Sequence, residues 1–320
     1  FQDWARTPIG GRYGAVGVSA GLGRGIYDGY VEVTRSFDRA PANGDKYDGG
    51  GGLGAIARFT RSLRKRELEV SLRYYDVAFD NPYAGPIAAD DQVDGARARG
   101  EHGARVRYNG THGVATIRAA VDLWRGYVGE LDQFLPRLSS YGRVDVQGSD
   151  QLGYGLWLDF ADKDLRDGGY GECYEAATEP DEIGRPVPCQ GMRLKTTARL
   201  RYTPAKNLSV IAQAQHAWQD DTSYTDRRRH DLGGSVAVTW RRSKDLRLRG
   251  RVRYVNEDIS DNKVLEQSLW TYGEAVVRVR AKDTLTVRAD LFVWLDERDS
   301  TQARTPSPEL RGLVGYVAKF

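Results

Sequence analysis

The sequence predicts an all-β fold, a transmembrane antiparallel up-and-down β-barrel of about 16 strands. Three observations predict it. Apolar and polar residues alternate with a period of two from one end of the chain to the other. The connections between the alternating runs are short and long by turns. Aromatic residues gather at both ends of the apolar faces and leave aliphatic middles.

Composition narrows the class first. The 320 residues are 40% apolar and 28% charged. No run of about 18 apolar residues occurs, so no transmembrane helix is expected. Gly at 37, Tyr at 18 and Met at 1 suit strands and turns better than helices. A net charge of +3 marks no nucleic-acid partner. No signal peptide is visible at Phe1, so the chain reads as a processed form or a fragment.

In order, fifteen strands are expected over 11–20, 25–37, 52–62, 67–77, 100–109, 113–125, 137–147, 151–162, 191–203, 207–218, 229–241, 246–256, 266–280, 284–296 and 308–320. The clearest runs from Leu246: Leu248, Val252 and Tyr254 share its face, and Arg247, Arg249, Arg251 and Arg253 occupy the other. In 192–202, Met192, Leu194, Ala198, Leu200 and Tyr202 alternate with Arg193, Lys195, Thr197, Arg199 and Arg201. In 284–296, Leu285, Val287, Ala289, Leu291, Val293 and Leu295 oppose Arg288, Asp290 and Asp296. Short turns are expected near 63–65, 110–112, 148–149, 204–206, 243–245 and 282–283. Long polar loops are expected at 38–51, 78–99, 126–136, 163–190, 219–228, 257–265 and 297–307. Short turns on one side and long loops on the other is the pattern of barrels with periplasmic turns and external loops.

Alternation alone leaves a soluble sandwich open, with its apolar face inward. The aromatic positions decide against it. With the short turns periplasmic, one belt is Phe59, Tyr108, Tyr202, Trp240 and Phe320, and the other is Tyr74, Phe160, Trp218 and Tyr254. Runs of 10–13 residues also match a tilted bilayer crossing rather than the five or six residues of a soluble strand. An Arg at the lipid midplane costs roughly 2–4 kcal/mol, so the arginine face must line a polar lumen. Val314, Tyr316, Ala318 and Phe320 resemble the C-terminal signal that the outer-membrane assembly machinery recognises, which makes that machinery an expected partner.

If the last strand runs toward the periplasm, an odd count starts the first strand outside the cell, whereas single-chain bacterial barrels are usually even. The expectation is one uncounted strand, or native sequence ahead of Phe1, within a single barrel domain over 1–320. Ala5-Arg6-Thr7-Pro8 recurs as Ala303-Arg304-Thr305-Pro306, which reads residues 1–10 as the tail of another external loop; a chance match gives the same tetrapeptide.

The segments 74–87 (Tyr-Tyr-Asp-Val-Ala-Phe-Asp-Asn-Pro-Tyr-Ala-Gly-Pro-Ile), 265–270 (Leu-Glu-Gln-Ser-Leu-Trp) and 303–309 (Ala-Arg-Thr-Pro-Ser-Pro-Glu) resemble the barrel region of outer-membrane proteins of predatory and social bacteria in which a helix-hairpin-helix module precedes the barrel. The resemblance implies sequence upstream of the barrel. It carries no nucleic-acid binding to this chain, since the module itself is not in it.

The candidate functional surface is the lumen. Arg193, Lys195, Arg199, Arg201, Arg247, Arg249, Arg251, Arg253, Arg278, Arg280 and Arg288 fall on its face with Glu274 and Asp290, and cation excess makes an open pore prefer anions. The same residues also read as a salt-bridge network that selects nothing. Cys173 and Cys189 read as a local disulfide in an oxidising compartment, with two free thiols as the alternative, and loop 163–190 as either a constriction or an external cap. Arg227, Arg228 and Arg229 are candidates for lipopolysaccharide phosphates. Asp220, Asp221, His230 and Asp231 form an Asp/His group at the external rim, but a single hairpin supplies all four, and no catalytic activity is expected. His216 falls on the lipid face with no neighbouring Ser nucleophile. Neither Cys nor His shows metal-ligand spacing, and no cofactor is expected. The expected function is a porin-like channel for small hydrophilic, anionic solutes. Its alternative is a plugged barrel that scaffolds an envelope or secretion assembly, and a minor alternative is an outer-membrane hydrolase.

Overall fold

The structure, a computed structural model, describes residues 2–3, 12–39, 51–79, 100–128, 133–166, 191–220, 228–260, 267–280, 283–295 and 308–318. All fifteen expected strands are present, and they run antiparallel in chain order within one sheet. They are β2 (Arg12–Arg24), β3 (Tyr27–Arg39), β4 (Leu53–Leu63), β5 (Arg66–Tyr75), β6 (Glu101–His112), β7 (Ala115–Val128), β8 (Gln133–Gln147), β9 (Leu152–Asp162), β10 (Met192–Ala205), β11 (Leu208–Gln219), β12 (Arg229–Arg241), β13 (Leu246–Asn256), β14 (Gln267–Arg278), β15 (Thr284–Trp294) and β16 (Glu309–Val317). A two-residue strand, β1 (Gln2–Asp3), pairs with the external end of β2. Among the described residues no ladder joins β16 to β1 or β2, so the sheet is not closed.

The apolar face is the outer one. Val18, Leu22, Leu72, Leu123, Leu156, Val252 and Val314 all lie exposed on it. In water this area would drive aggregation, whereas in a bilayer it meets hydrocarbon. The polar face is concave: Arg73 on β5 reaches Asp122 on β7, and Arg201 on β10 reaches Gln147 on β8, each across an intervening strand.

Several boundaries differ from the sequence reading; β6, for one, runs on to His112, so the turn expected at 110–112 falls at 113–114. β2 continues through Gly21 and Gly23 to Arg24, because β3 pairs with it residue by residue down to Arg24↔Tyr27. β7 and β8 extend toward each other, so the expected loop 126–136 shrinks to 129–132. Pro136 lies inside β8; it has no N–H to give, and its carbonyl accepts the Leu165 amide at 2.9 Å. On the periplasmic side, the two-residue turns open on Gly25 (φ 63°), Arg64 (φ 52°) and Gly113 (φ 58°), the left-handed conformation that tight hairpins demand. In the β10–β11 ladder the register shifts between Tyr202 and Ala205, around Pro204, which cannot donate to it.

The most buried group sits inside the barrel at the external end of β5–β8. Arg73 bonds Glu101 and, at 2.7 Å, Asp122, and all three are buried. Its guanidinium stands 5.6 Å from the Trp124 ring centre. Beside it Phe79 stacks on Tyr75 with ring centres 5.5 Å apart. Phe79 occupies the space above Gly54, where a Cβ would lie 2.6 Å from its ring. At Gly52 a Cβ would collide with the Phe79 amide nitrogen, so this glycine opens a segment whose missing side chains seat an aromatic residue.

Candidate functional site

Alternation sends the polar residues of β10 and β13 into the lumen, and the pairings bring these two strands into register. Arg199 pairs with Gln213, Gln213 with Ser235, and Ser235 with Arg253. One rung away, Arg201 pairs with Ile211, Ile211 with Ala237, and Ala237 with Arg251. Two consecutive rungs thus begin and end in arginine across β10–β13. Three strand spacings of about 4.8 Å set the rails about 14 Å apart, and rungs follow about every 7 Å. The floor between them is short or neutral: Gln213, Gln215, Gly233, Ser235 and Ala237.

The external part of this trough holds a cavity of about 350 Å³. Arg193, Lys195, Arg251 and Arg253 supply its positive wall, with Asp231 and Glu257 at its rim. Gly233 deepens it, since a side chain there would fill the floor. Arg201 and Arg251 have uncharged partners, so their charge faces the lumen uncancelled, whereas Arg199 shares the Asp145 carboxylate with Arg143, which pairs with it at 2.5 Å. Arg201 donates to Gln147, and Arg251 meets Ser235 at 3.5 Å. Arg199 stands 5.9 Å from the Trp157 ring centre, and Arg143 covers the same ring at 4.1 Å. Further round, carboxylates neutralise the wall: Arg249 meets Glu274 at 3.4 Å, and Arg288 meets Asp290 at 2.6 Å.

The expected lumen residues separate accordingly. Arg193, Lys195, Arg199, Arg201, Arg247, Arg249, Arg251 and Arg253 lie on the inner faces of β10 and β13. Glu274, Arg278, Arg288 and Asp290 lie on the inner faces of β14 and β15. Arg280 lies past the end of β14, in the turn toward β15, and does not line the wall. The arginine alternation was visible in the sequence. The match of rungs between β10 and β13 was not, because it depends on three successive registers.

On the outer face, Phe59, Tyr108, Tyr202 and Trp240 lie toward the short turns, and Tyr74, Phe160, Trp218 and Tyr254 toward the long loops. Phe59 stacks on Tyr27 at 5.8 Å, and Gln267 donates to the Tyr254 hydroxyl at 2.8 Å. Phe320 lies outside the described residues, as do Cys173, Cys189, Asp221, Arg227 and most of loop 163–190.

The rim group does not assemble as an Asp/His pair. Asp231 points inward and accepts from Arg229 at 2.9 Å, while His230 points outward to His216. Asp220 is buried; it accepts the Met192 amide at 2.8 Å and Arg228 at 2.6 Å. Arg228 also lies 4.9 Å from the Trp218 ring centre, on the outer side, whereas Arg229 is buried on the lumen side, turned away from any lipid.

An apolar outer face, a charged concave inner face, two aromatic belts and alternating connection lengths define a bacterial outer-membrane β-barrel. Neither a protein-family model nor a curated protein matches the sequence. Among solved structures the chain is similar to the FrpB iron transporter of Neisseria meningitidis (F3-3 variant), with TM-score 0.49 and 10% identity, covering 89% of this chain and 53% of that one. It is similar to the trimer form of OmpT, an outer-membrane protein of Vibrio cholerae, with TM-score 0.44 and 10% identity over 95% of this chain and 97% of that one. It is also similar to the copper transporter OprC, with TM-score 0.44 and 12% identity over 96% and 62%. The chain thus spans about half the length of FrpB.

Proposed function

We propose that the protein is a channel for small hydrophilic, anionic solutes, and that the trough between β10 and β13 is their path. The observation that carries this reading is the pair of rungs ending in arginine on both sides, Arg199 with Arg253 and Arg201 with Arg251. Guanidinium groups facing one another across a neutral floor raise the local concentration of anions and lower that of cations. Fixed positive charge on water-filled walls favours passage over tight binding, because solvent screens each contact. No step of bond making or breaking is assigned to any residue.

A second reading has its own observation. Phe79, Tyr75, Trp124 and the Arg73–Glu101–Asp122 group fill the external end of the lumen beside β5–β8. A barrel filled further in this manner serves as a scaffold for an envelope assembly. Single-channel recording in a planar bilayer separates the two. The channel reading expects discrete conductance steps with anion-shifted reversal potentials in a KCl gradient. Folded protein that inserts and gives no current above baseline refutes it in favour of the scaffold. Of the two described arginines of the 227–229 group, only Arg228 lies on the outer side, where its contact with a lipopolysaccharide phosphate would compete with its bond to Asp220.

A further inference from the structure

We propose that His216 and His230, on the outer face at the external end of hairpin β11–β12, form a two-histidine site for a tetrahedral divalent cation, Zn²⁺. The two residues are 14 apart in sequence, so no metal-ligand spacing is visible there. The hairpin brings them together: His216 pairs with Leu232 and Trp218 pairs with His230, which makes the histidines diagonal neighbours on one face. Such neighbours lie within reach of long or aromatic side chains. Here His216 Nε2 lies 3.3 Å from His230 Nδ1, with ring centres 5.4 Å apart.

That separation selects a geometry. Zinc–nitrogen bonds of about 2.0–2.1 Å on two atoms 3.3 Å apart subtend an angle of about 107° at the metal, the tetrahedral value. Adjacent ligands of a square-planar ion would stand about 2.9 Å apart at the same bond length. In the metal-free pair one ring nitrogen donates its hydrogen to the other. On binding, that hydrogen moves to the second nitrogen of its own ring, which frees a lone pair on each facing nitrogen with no net proton lost. The immediate surroundings tolerate the charge, because Arg228, the nearby cation, is bonded to Asp220 at 2.6 Å. Among the described residues no third His, Cys, Asp or Glu joins the pair, so water from the external interface completes the shell. Loaded, the site cross-links the open ends of β11 and β12, just below the long connection 220–228.

The test is equilibrium dialysis of the full chain, folded in detergent micelles, against micromolar ZnCl2 at pH 7.5. One zinc per chain is expected, with the unfolding midpoint raised by the metal. His216→Gln and His230→Gln should each abolish both effects, while His102→Gln and His112→Gln keep them. Quenching of tryptophan emission by Co²⁺, which accepts tetrahedral coordination, that disappears in Trp218→Phe would place the ion beside that ring, 6.1 Å from His230. No zinc bound by the folded wild-type chain overturns the proposal without reference to any variant. So does undiminished stoichiometry in a folded His216→Gln/His230→Gln chain.

Discussion

Replacing Arg199, Arg201, Arg251 and Arg253 together with Gln removes the charge at both ends of two rungs and leaves the floor unchanged. The spacing of β10 and β13 puts each guanidinium about 7 Å from the trough's midline. A unit charge at 7 Å contributes about 0.6 kcal/mol in water, and 0.1 M salt, with a Debye length of about 10 Å, cuts this to about 0.3 kcal/mol. Four such charges give about 1.2 kcal/mol, which is about a sevenfold enrichment of a monovalent anion. Gln147 and Ser235, which meet Arg201 and Arg251, carry no charge; Arg199 is offset in part by Asp145, which also pairs with Arg143, so the sum is an upper bound. Arg249 is left out because Glu274 already opposes it. The assay is the reversal potential across a planar bilayer in a tenfold KCl gradient at low total salt. The expected outcome is a fall in the anion-to-cation permeability ratio of at least several-fold. A ratio that stays within a factor of two of wild type, from folded and conducting protein, would refute the reasoning that this wall sets selectivity.

Three further predictions concern stability and orientation. Arg73→Met leaves Glu101 and Asp122 buried without their common partner, at a cost of about 3–5 kcal/mol; urea titration of folding into lipid vesicles should show it, and adding Glu101→Gln and Asp122→Asn should restore most of the loss. Val252→Arg on the outer face should cost about 2–4 kcal/mol in the same titration, while Ser235→Glu, a charge placed among the lumen arginines, should cost less; a larger cost for Ser235→Glu than for Val252→Arg would mean that the faces are assigned the wrong way round. Outside the membrane, burial pushes the Asp164 carboxyl up, but hydrogen bonds from the Arg166 side chain and amide, and the Arg166 charge, pull it further down, for a net lowering. A carboxyl lowered in the folded state contributes stability above its unfolded value of about 4, and loses it as pH falls through the folded value. The amide-exchange protection factors at 163–166, corrected for the intrinsic rate at each pH, should therefore fall in acid, and Asp164→Asn should flatten that dependence.

The strands were legible because a two-faced sheet in a bilayer writes its period directly into the chain. Leu246–Asn256 could be assigned to both faces from side-chain type alone, since lipid rejects arginine. Its start and end also came out as read. Less legible were features set by a partner's position. Pro136 reads as a strand breaker, yet the long β7–β8 ladder carries it at a place where its carbonyl is used. The contact of Phe79 with Gly54 joins a loop to a strand 25 positions away, with no periodic signal to announce it. The same holds for the site. Individual arginines were visible on the polar face, but their opposition across β10–β13 needed the registers of three ladders. His230 could be grouped with Asp231 by proximity in sequence, although alternation sends the two to opposite sides of the wall.

The placement of Phe79 and the Arg73 group has a consequence for how the molecule can change. The contacts that are costly to disturb occupy one sector of the ring, β4–β8, and the charges facing the lumen uncancelled occupy another, β10–β13. A substitution on the inner face of β10 or β13 alters an electric field in water and touches few neighbours. One at Gly54, Arg73 or Trp124 displaces a buried group. On the channel reading, sequence drift in β10–β13 therefore retunes which solutes enter at little risk to assembly, while β4–β8 is held nearly fixed. On that reading, a barrel divided in this way can acquire a new permeant without passing through an unstable intermediate.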